Sequence, residues 1–281
     1  MDIITNKASL QKAVKVFKDQ GLTIGFVPTM GGLHQGHLSL VRKCKSVCDV
    51  CVVSLFLNPT QFNNPEDFQT YPYDTAEDLE LLTPEGVDIV FVPSVQEMYQ
   101  EGELPPNYNL GTVAQVMEGA HRPGHFQGVV WIVSKLFKLV QPHKAFFGEK
   151  DFQQIAVINK MVELDNDIHV QIVPCPIVRE PDGLAMSSRN RRLTPAQRAI
   201  APRIYKALQH GVEWAKQYPP QDVVSLVTSE LEENKELRVE YFEIVDATTL
   251  LPINNWNEAA SIAGCIAVFC GPVRLIDHIH F

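Results

Sequence analysis

The sequence predicts an α/β protein built on a doubly wound parallel sheet, followed by a second, smaller α+β domain. Short apolar runs alternate with helical periodicity from the start of the chain to about residue 176, the order that builds a parallel sheet covered by helices. A glycine-rich turn, residues 29–36, separates an early strand from its helix. After Pro174 the alternation gives way to helices and then to three β-rich runs, the segregated order of an α+β unit. Domains of 1–176 and 177–281 follow from that change.

The elements come in this order. Leu10, Val14 and Phe17 recur at helical spacing, and Gly21 can end that helix with a positive φ. Residues 22–27 form a buried-strand run stopped by Pro28, and helical periodicity resumes over 38–47. A strand is predicted at 50–57, a helix at 75–82 behind Asp74 or Thr75 as cap, and a strand at 87–92. Helices at 129–140 and 152–164 alternate with strands at 145–147 and 170–173. Beyond Pro176, Pro181 and Gly183, helices are predicted near 195–218 and 222–234, then strands at 239–245, 265–269 and 273–279. The last two are close enough in sequence to form a hairpin.

Composition narrows the function. With 281 residues, 45% of them hydrophobic, the chain can bury a substantial core. No apolar run approaches the length of a membrane span, and MDIITNKASLQKAV lacks the regions of a signal peptide, so a cytoplasmic location is expected. The six cysteines form no paired CxxC set and read as reduced, mostly buried thiols rather than a zinc site. A formal net charge of −9 disfavours a polyanion, which argues against nucleic acid as a partner.

Polar clusters follow three of the strands, the place where open α/β sheets bind ligands. In Pro28-Thr29-Met30-Gly31-Gly32-Leu33-His34-Gln35-Gly36-His37 the glycines let a ligand approach backbone where a helix begins, and the two histidines three apart can share a face. The bland alternative is a surface turn with two solvated imidazoles. In Phe147-Gly148-Glu149-Lys150-Asp151, Lys150 suits a phosphate and Asp151 a ribose hydroxyl, unless Asp151 only caps the next helix. Met186-Ser187-Ser188-Arg189-Asn190-Arg191-Arg192 suits a polyphosphate tail at a hinge, or is a solvated basic linker. Asn58-Pro59-Thr60-Gln61-Phe62 and Phe152-Gln153-Gln154 supply neutral amides that can orient a hydroxy acid without quenching its nucleophilic oxygen, although a glutamine taken alone is usually just a surface residue.

As a set, PTMGGLHQGH, FLNPTQF, RPGHFQGV, FFGEKDFQQ and IVREPDGLAMSSRN resemble the pantothenate synthetase (pantoate–β-alanine ligase) family, over essentially the whole chain. HxGH alone is shared with the wider nucleotidyltransferase and class I aminoacyl-tRNA synthetase superfamily; GEKDFQQ and DGLAMSSRN are far more specific. Gly32 departs from many relatives, which carry a side chain there. The resemblance implies a Rossmann-like domain that binds ATP and pantoate, a C-terminal domain closing over the active site, and a homodimer. It implies a reaction in which ATP and pantoate give pantoyl adenylate and pyrophosphate, and β-alanine then displaces AMP.

By the same resemblance, Met30, Gly31, Gly32, Leu33, His34, Gln35, Gly36 and His37 hold ATP together with Gly148, Glu149, Lys150 and Asp151. Val178 lines the adenine pocket, Met186, Ser187, Ser188 and Arg189 contact the phosphates, and Gln61 and Gln154 hold pantoate. His37, as proton donor, forms the catalytic set with His34 and Lys150. Magnesium accompanies ATP, with Glu77 and Asp78 as possible contacts. The rival reading is a nucleotidyltransferase that keeps the nucleotide on its product, since the HxGH loop serves that chemistry too.

Overall fold

A computed structural model describes residues 1–281, which divide into two compact units. The first comprises Met1–Leu110, Arg122–Glu149 and Gln154–Pro176; the second comprises Gly111–His121, Lys150–Gln153 and Ile177–Phe281. Lys150 and Asp151 thus pack with the second unit although they directly follow a strand of the first.

The first unit runs β1 (Asp2–Ile4), α1 (Lys7–Asp19), β2 (Ile24–Thr29), α2 (Gln35–Val47), β3 (Val50–Leu55), α3 (Pro65–Gln69), α4 (Thr75–Leu82), β4 (Ile89–Phe91) and α5 (Val95–Met98). After α6 (Glu118–His121), which belongs to the second unit, come α7 (His125–Val140), β5 (Lys144–Gly148), α8 (Phe152–Leu164) and β6 (Gln171–Cys175). The six strands lie in the order β1-β4-β3-β2-β5-β6 and every pair is parallel. From β2 the chain winds outward to β3 and β4, then returns to the other side for β5 and β6. The sheet is therefore doubly wound, and its switch point lies between the carboxyl ends of β2 and β5. All six residues of β3 are buried, the mark of a central strand covered on both faces.

Two details depart from the sequence expectation. Strand β1 has no apolar run to announce it: two of its three residues are exposed, and it exists because its backbone pairs with β4 at the sheet edge. Strand β2 continues through Pro28 to Thr29, where β3 still pairs with it while β5 pairs only at Gly25 and Phe26. The missing N–H of Pro28 falls where one neighbour has already diverged.

The second unit holds α9 (Pro195–Ile200), α10 (Arg203–Trp214), α11 (Pro220–Glu232) and the strands β7 (Leu237–Asp246), β8 (Ile262–Cys270) and β9 (Val273–His280). The strands form an antiparallel sheet in the order β7-β8-β9, and β8 and β9 make the predicted hairpin. The single helix expected near 195–218 is two, because Pro202 lacks the N–H that would continue the ladder. Leu208, Val223, Val227, Ile266 and Val268 fill the core between helices and sheet. Glu118 of α6 meets that sheet through Arg274, which donates to both of its carboxylate oxygens (2.9 and 2.6 Å) and also to Glu240 at 2.8 Å. Burial works to lower the Arg274 pKa, but the two carboxylates overcome it and raise the guanidinium above its ordinary value.

Candidate active site

Two consecutive glycines shape the loop after β2: Gly31 and Gly32 have φ of 82° and 64°, conformations that cost an L-residue. A Cβ at Gly31 would also collide with the Tyr73 ring and with Asp78. The loop is held by the Asp78 carboxylate, which accepts from Gly32 N at 2.9 Å and Leu33 N at 2.6 Å. Thr29 Oγ1 donates to Ser54 O and accepts from Gly31 N, fixing the start of the loop to β3. Gly32 and Leu33 therefore turn their amides inward to Asp78, and Leu33 itself is a core residue, 1% exposed.

Beyond this clamp the loop presents its histidines. His34 is the N-cap of α2, with Nδ1 accepting from Gly36 N at 3.1 Å. In a neutral ring that bond places the proton on Nε2. The His34 and His37 rings lie 4.1 Å apart between centroids, so the spacing of three brings both imidazoles together at the helix N-terminus. Gln35 is exposed and accepts from Arg42 at 3.3 Å, away from this pair.

A buried amide network follows β3. Asn58, 1% exposed, donates to Gln61 Oε1 at 2.9 Å and Gly128 O at 3.2 Å, while its Oδ1 accepts from Tyr99 OH at 2.7 Å. Gln61 thereby spends its acceptor on Asn58 and directs Nε2 to Met30 Sδ, 3.1 Å away, which ties the pantoate candidate to the glycine loop. From the other side His125 Nδ1, 2.9 Å from Gln61 O, must donate, and its Nε2 accepts from Arg122 at 3.2 Å. Helix α7 comes this close because Gly128 has no side chain: a Cβ there would overlap the Thr60 carbonyl. Burial pushes the Tyr99 phenol up to about 12, so it stays a neutral donor to Asn58.

Gly148 ends β5 on the other side of the switch point, Glu149 opens the 3-10 turn that follows, and Gln154 is half-buried on α8. These residues and the loop of 30–37 share the carboxyl end of the parallel sheet.

In the second unit, Lys150 lies in the short 3-10 turn Glu149–Asp151, 3.2 Å from Asp151 Oδ2. Its placement depends on Gln153, whose amide bridges a turn containing Met117 at φ 43°: it donates to Val113 O and Val116 O and accepts from Glu118 N. Val178 and Met186 face one another, Met186 N donating to Val178 O at 3.0 Å. Ser187 caps the 3-10 turn Ser188–Arg192, and Ser188 is buried. The serine-arginine run is thus folded structure and not the solvated linker that a charge run suggests.

Sequence reasoning passed over Asp78 as a loop clamp, counted Asn58 only among the neutral amides, and gave no role to His125 or Arg122. The signal for the last two was present in RPGHFQGV, but only the fold shows what they face. Asp78 and Glu77 do not form a metal cage. Asp78 gives both oxygens to backbone amides, Glu77 is exposed, and no three His, Cys, Asp or Glu side chains converge.

Fold and site together define a Rossmann-like α/β protein with a histidine-bearing glycine loop at its switch point and a smaller α+β unit after it. The family model for pantoate-beta-alanine ligase matches residues 2–280. Pantothenate synthetases of Porphyromonas gingivalis and Bacteroides fragilis are 50% and 47% identical over 281 residues, covering all of this chain and 99% of each relative. Among solved structures, pantothenate synthetase from Thermus thermophilus superposes with a TM-score of 0.91 at 42% identity, covering 99% of both chains. Pantoate-beta-alanine ligase from Francisella tularensis, complexed with beta-gamma ATP and beta-alanine, superposes at 0.81 with 36% identity, covering 100% of this chain and 97% of that one. The chain belongs to the pantoate-beta-alanine ligase family.

Proposed function

We propose that this protein condenses pantoate with β-alanine to pantothenate, driven by ATP. The observation that carries the reading is the paired His34 and His37 rings on a glycine loop whose Met30 is contacted by Gln61, in a chain that matches the family over residues 2–280. The route is an acyl adenylate. A pantoate carboxylate oxygen attacks the α-phosphorus of ATP, the bond to the bridging oxygen breaks, and pyrophosphate leaves. The β-alanine amine, once deprotonated, then attacks the activated carbonyl, and AMP leaves.

The first step brings two anions together, so donors must offset repulsion and stabilise charge moving to pyrophosphate. His37 supplies such a donor, supported by His34 with its proton on Nε2. Gln61 and Gln154 hold pantoate; Asn58 fixes which end of the Gln61 amide is free to donate. Lys150, Ser187, Ser188 and Arg189 bind phosphate and Val178 contacts adenine. Magnesium would accompany ATP and offset the charge of its phosphates. The second step depends on proximity and exclusion of water. We further propose a homodimer in the cytoplasm; no helix is long and apolar enough to cross a membrane.

Pyrophosphate release should require pantoate, and AMP release should follow on adding β-alanine. Nucleotide retained on the organic product would instead mark a nucleotidyltransferase.

A further inference from the structure

Residues 178–186 form a narrow turn that a single β-bridge, Arg179 to Ala185, holds together. A ladder this short is marginal on its own. Backbone bonds from Glu180 N to Leu184 O, from Gly183 N to Glu180 O and from Met186 N to Val178 O close the turn. They do not attach it to anything else.

Asp182 accepts from Arg198 of α9 at 2.6 Å, Ala185 O accepts from Asn190 Nδ2 at 3.0 Å, and Leu184 sits in the core; Arg179 adds the attachment to the sheet. Its two terminal nitrogens form a fork on Asp277 of β9, at 2.6 Å to Oδ2 and 2.9 Å to Oδ1. The same guanidinium reaches back to Gly183 O at 3.2 Å, across the turn it starts, and contacts His278 O at 3.4 Å. Its planar face lies 3.5 Å from the centroid of the Tyr205 ring on α10. Asp277 is 5% exposed and also accepts from His278 N at 2.8 Å, so its carboxylate has no freedom to follow the turn if the turn moves. A buried pair of this kind is weak as a source of net stability, because an apolar pair of similar volume does as well. Its use is to select one placement. A planar fork fixes angle as well as distance, which an apolar contact does not.

We propose that Asp277 is a positioning residue for nucleotide binding: through Arg179 it sets the placement of the turn that carries Val178 and Met186 and leads into Ser187, Ser188 and Arg189. This rests on the reading that those residues contact ATP. Asp277 acts through Arg179 and has no contact with substrate.

The test compares steady-state KM values for ATP and for pantoate in Asp277→Asn, Arg179→Lys, their double variant and Ser188→Ala, with thermal melting of each. Asp277→Asn keeps the shape and removes the charge; it should raise KM for ATP by roughly ten- to a hundred-fold, the scale of an ångström-level misplacement. KM for pantoate should stay within about twofold, since its proposed ligands lie elsewhere. Arg179→Lys keeps the charge without the fork and, being nearer the surface, covers the case in which Asp277→Asn does not fold. It should move KM for ATP in the same direction by less. The double variant should be no worse than the worse single one, because both act through one contact. Unchanged KM for ATP in folded Asp277→Asn and Arg179→Lys, while Ser188→Ala raises it, overturns the proposal. So does an equal rise for ATP and pantoate. If Ser188→Ala also leaves KM for ATP unchanged, the assignment of this segment to ATP fails, and the proposal fails with it.

Discussion

Replacing Asp78 by alanine should loosen the glycine loop, and the structure sets the size of the effect. The carboxylate is 1% exposed and accepts two backbone N–H bonds, from Gly32 at 2.9 Å and Leu33 at 2.6 Å. Bonds to a charged acceptor contribute about 1.5–3 kcal/mol each, so Asp78→Ala should cost about 3–6 kcal/mol of unfolding free energy. The lower end applies if water fills the vacated space and takes both amides. Asp78→Asn cannot restore both bonds, because one carboxylate oxygen becomes an NH2 facing an N–H. Urea denaturation gives the stability, and single-turnover pyrophosphate release gives the effect on His34 and His37, which follow the loop in sequence. That rate should fall by at least about tenfold, since misplacing donors is costly. A variant within about 1 kcal/mol of the parent and turning over normally would refute the clamp.

Further outcomes follow from the other groups. His37→Ala should slow adenylate formation by roughly 3–4 kcal/mol of barrier with ATP affinity nearly kept, as for loss of a transition-state donor; normal single-turnover kinetics would reduce His37 to a surface residue. Gln61→Ala and Gln154→Ala should raise KM for pantoate and leave ATP binding intact, and the reverse pattern in binding titrations would break the assignment. His278 is 4% exposed, and burial, then the charges of His280 and Arg179, push its pKa down from 6.5 to about 3. Between those pH values the unfolded chain binds a proton that the folded one refuses. Stability present above pH 6.5 is thus lost as pH falls toward 3, by at most about 1.4 kcal/mol per pH unit from this group. Urea titrations of His278→Phe across that window should show a slope smaller by one proton, and an unchanged slope would mean the ring is not buried neutral.

Much of the fold was legible because its signals are local. Helix α8 runs from Phe152 to Leu164 as its periodicity predicts, and the β8–β9 hairpin follows from two apolar runs separated by Gly271 and Pro272. Strand β1 was hidden because its reason for existing is a distant partner in the chain, Asp2 pairing with Ile89. The same limit applies to the site. Gly31, His34 and His37 sit in one short motif, so the turn and the pairing of the two rings are readable there. Asp78 and the Asn58–Gln61–His125 chain are side chains whose partners lie on other elements, so only the folded sheet shows that a helix carboxylate holds the loop. The read-through of β2 past Pro28 is a further case: proline's missing donor matters only if a neighbour needs it.

The central claim is that pantoate is activated as an adenylate at this site, and an oxygen label tests it most directly. Pantoate carrying 18O in its carboxylate, turned over with ATP and β-alanine, should deliver one labelled oxygen to the phosphate of AMP, because the carboxylate oxygen that attacks phosphorus leaves with it. Label found in pyrophosphate, or AMP formed without label, would contradict the account.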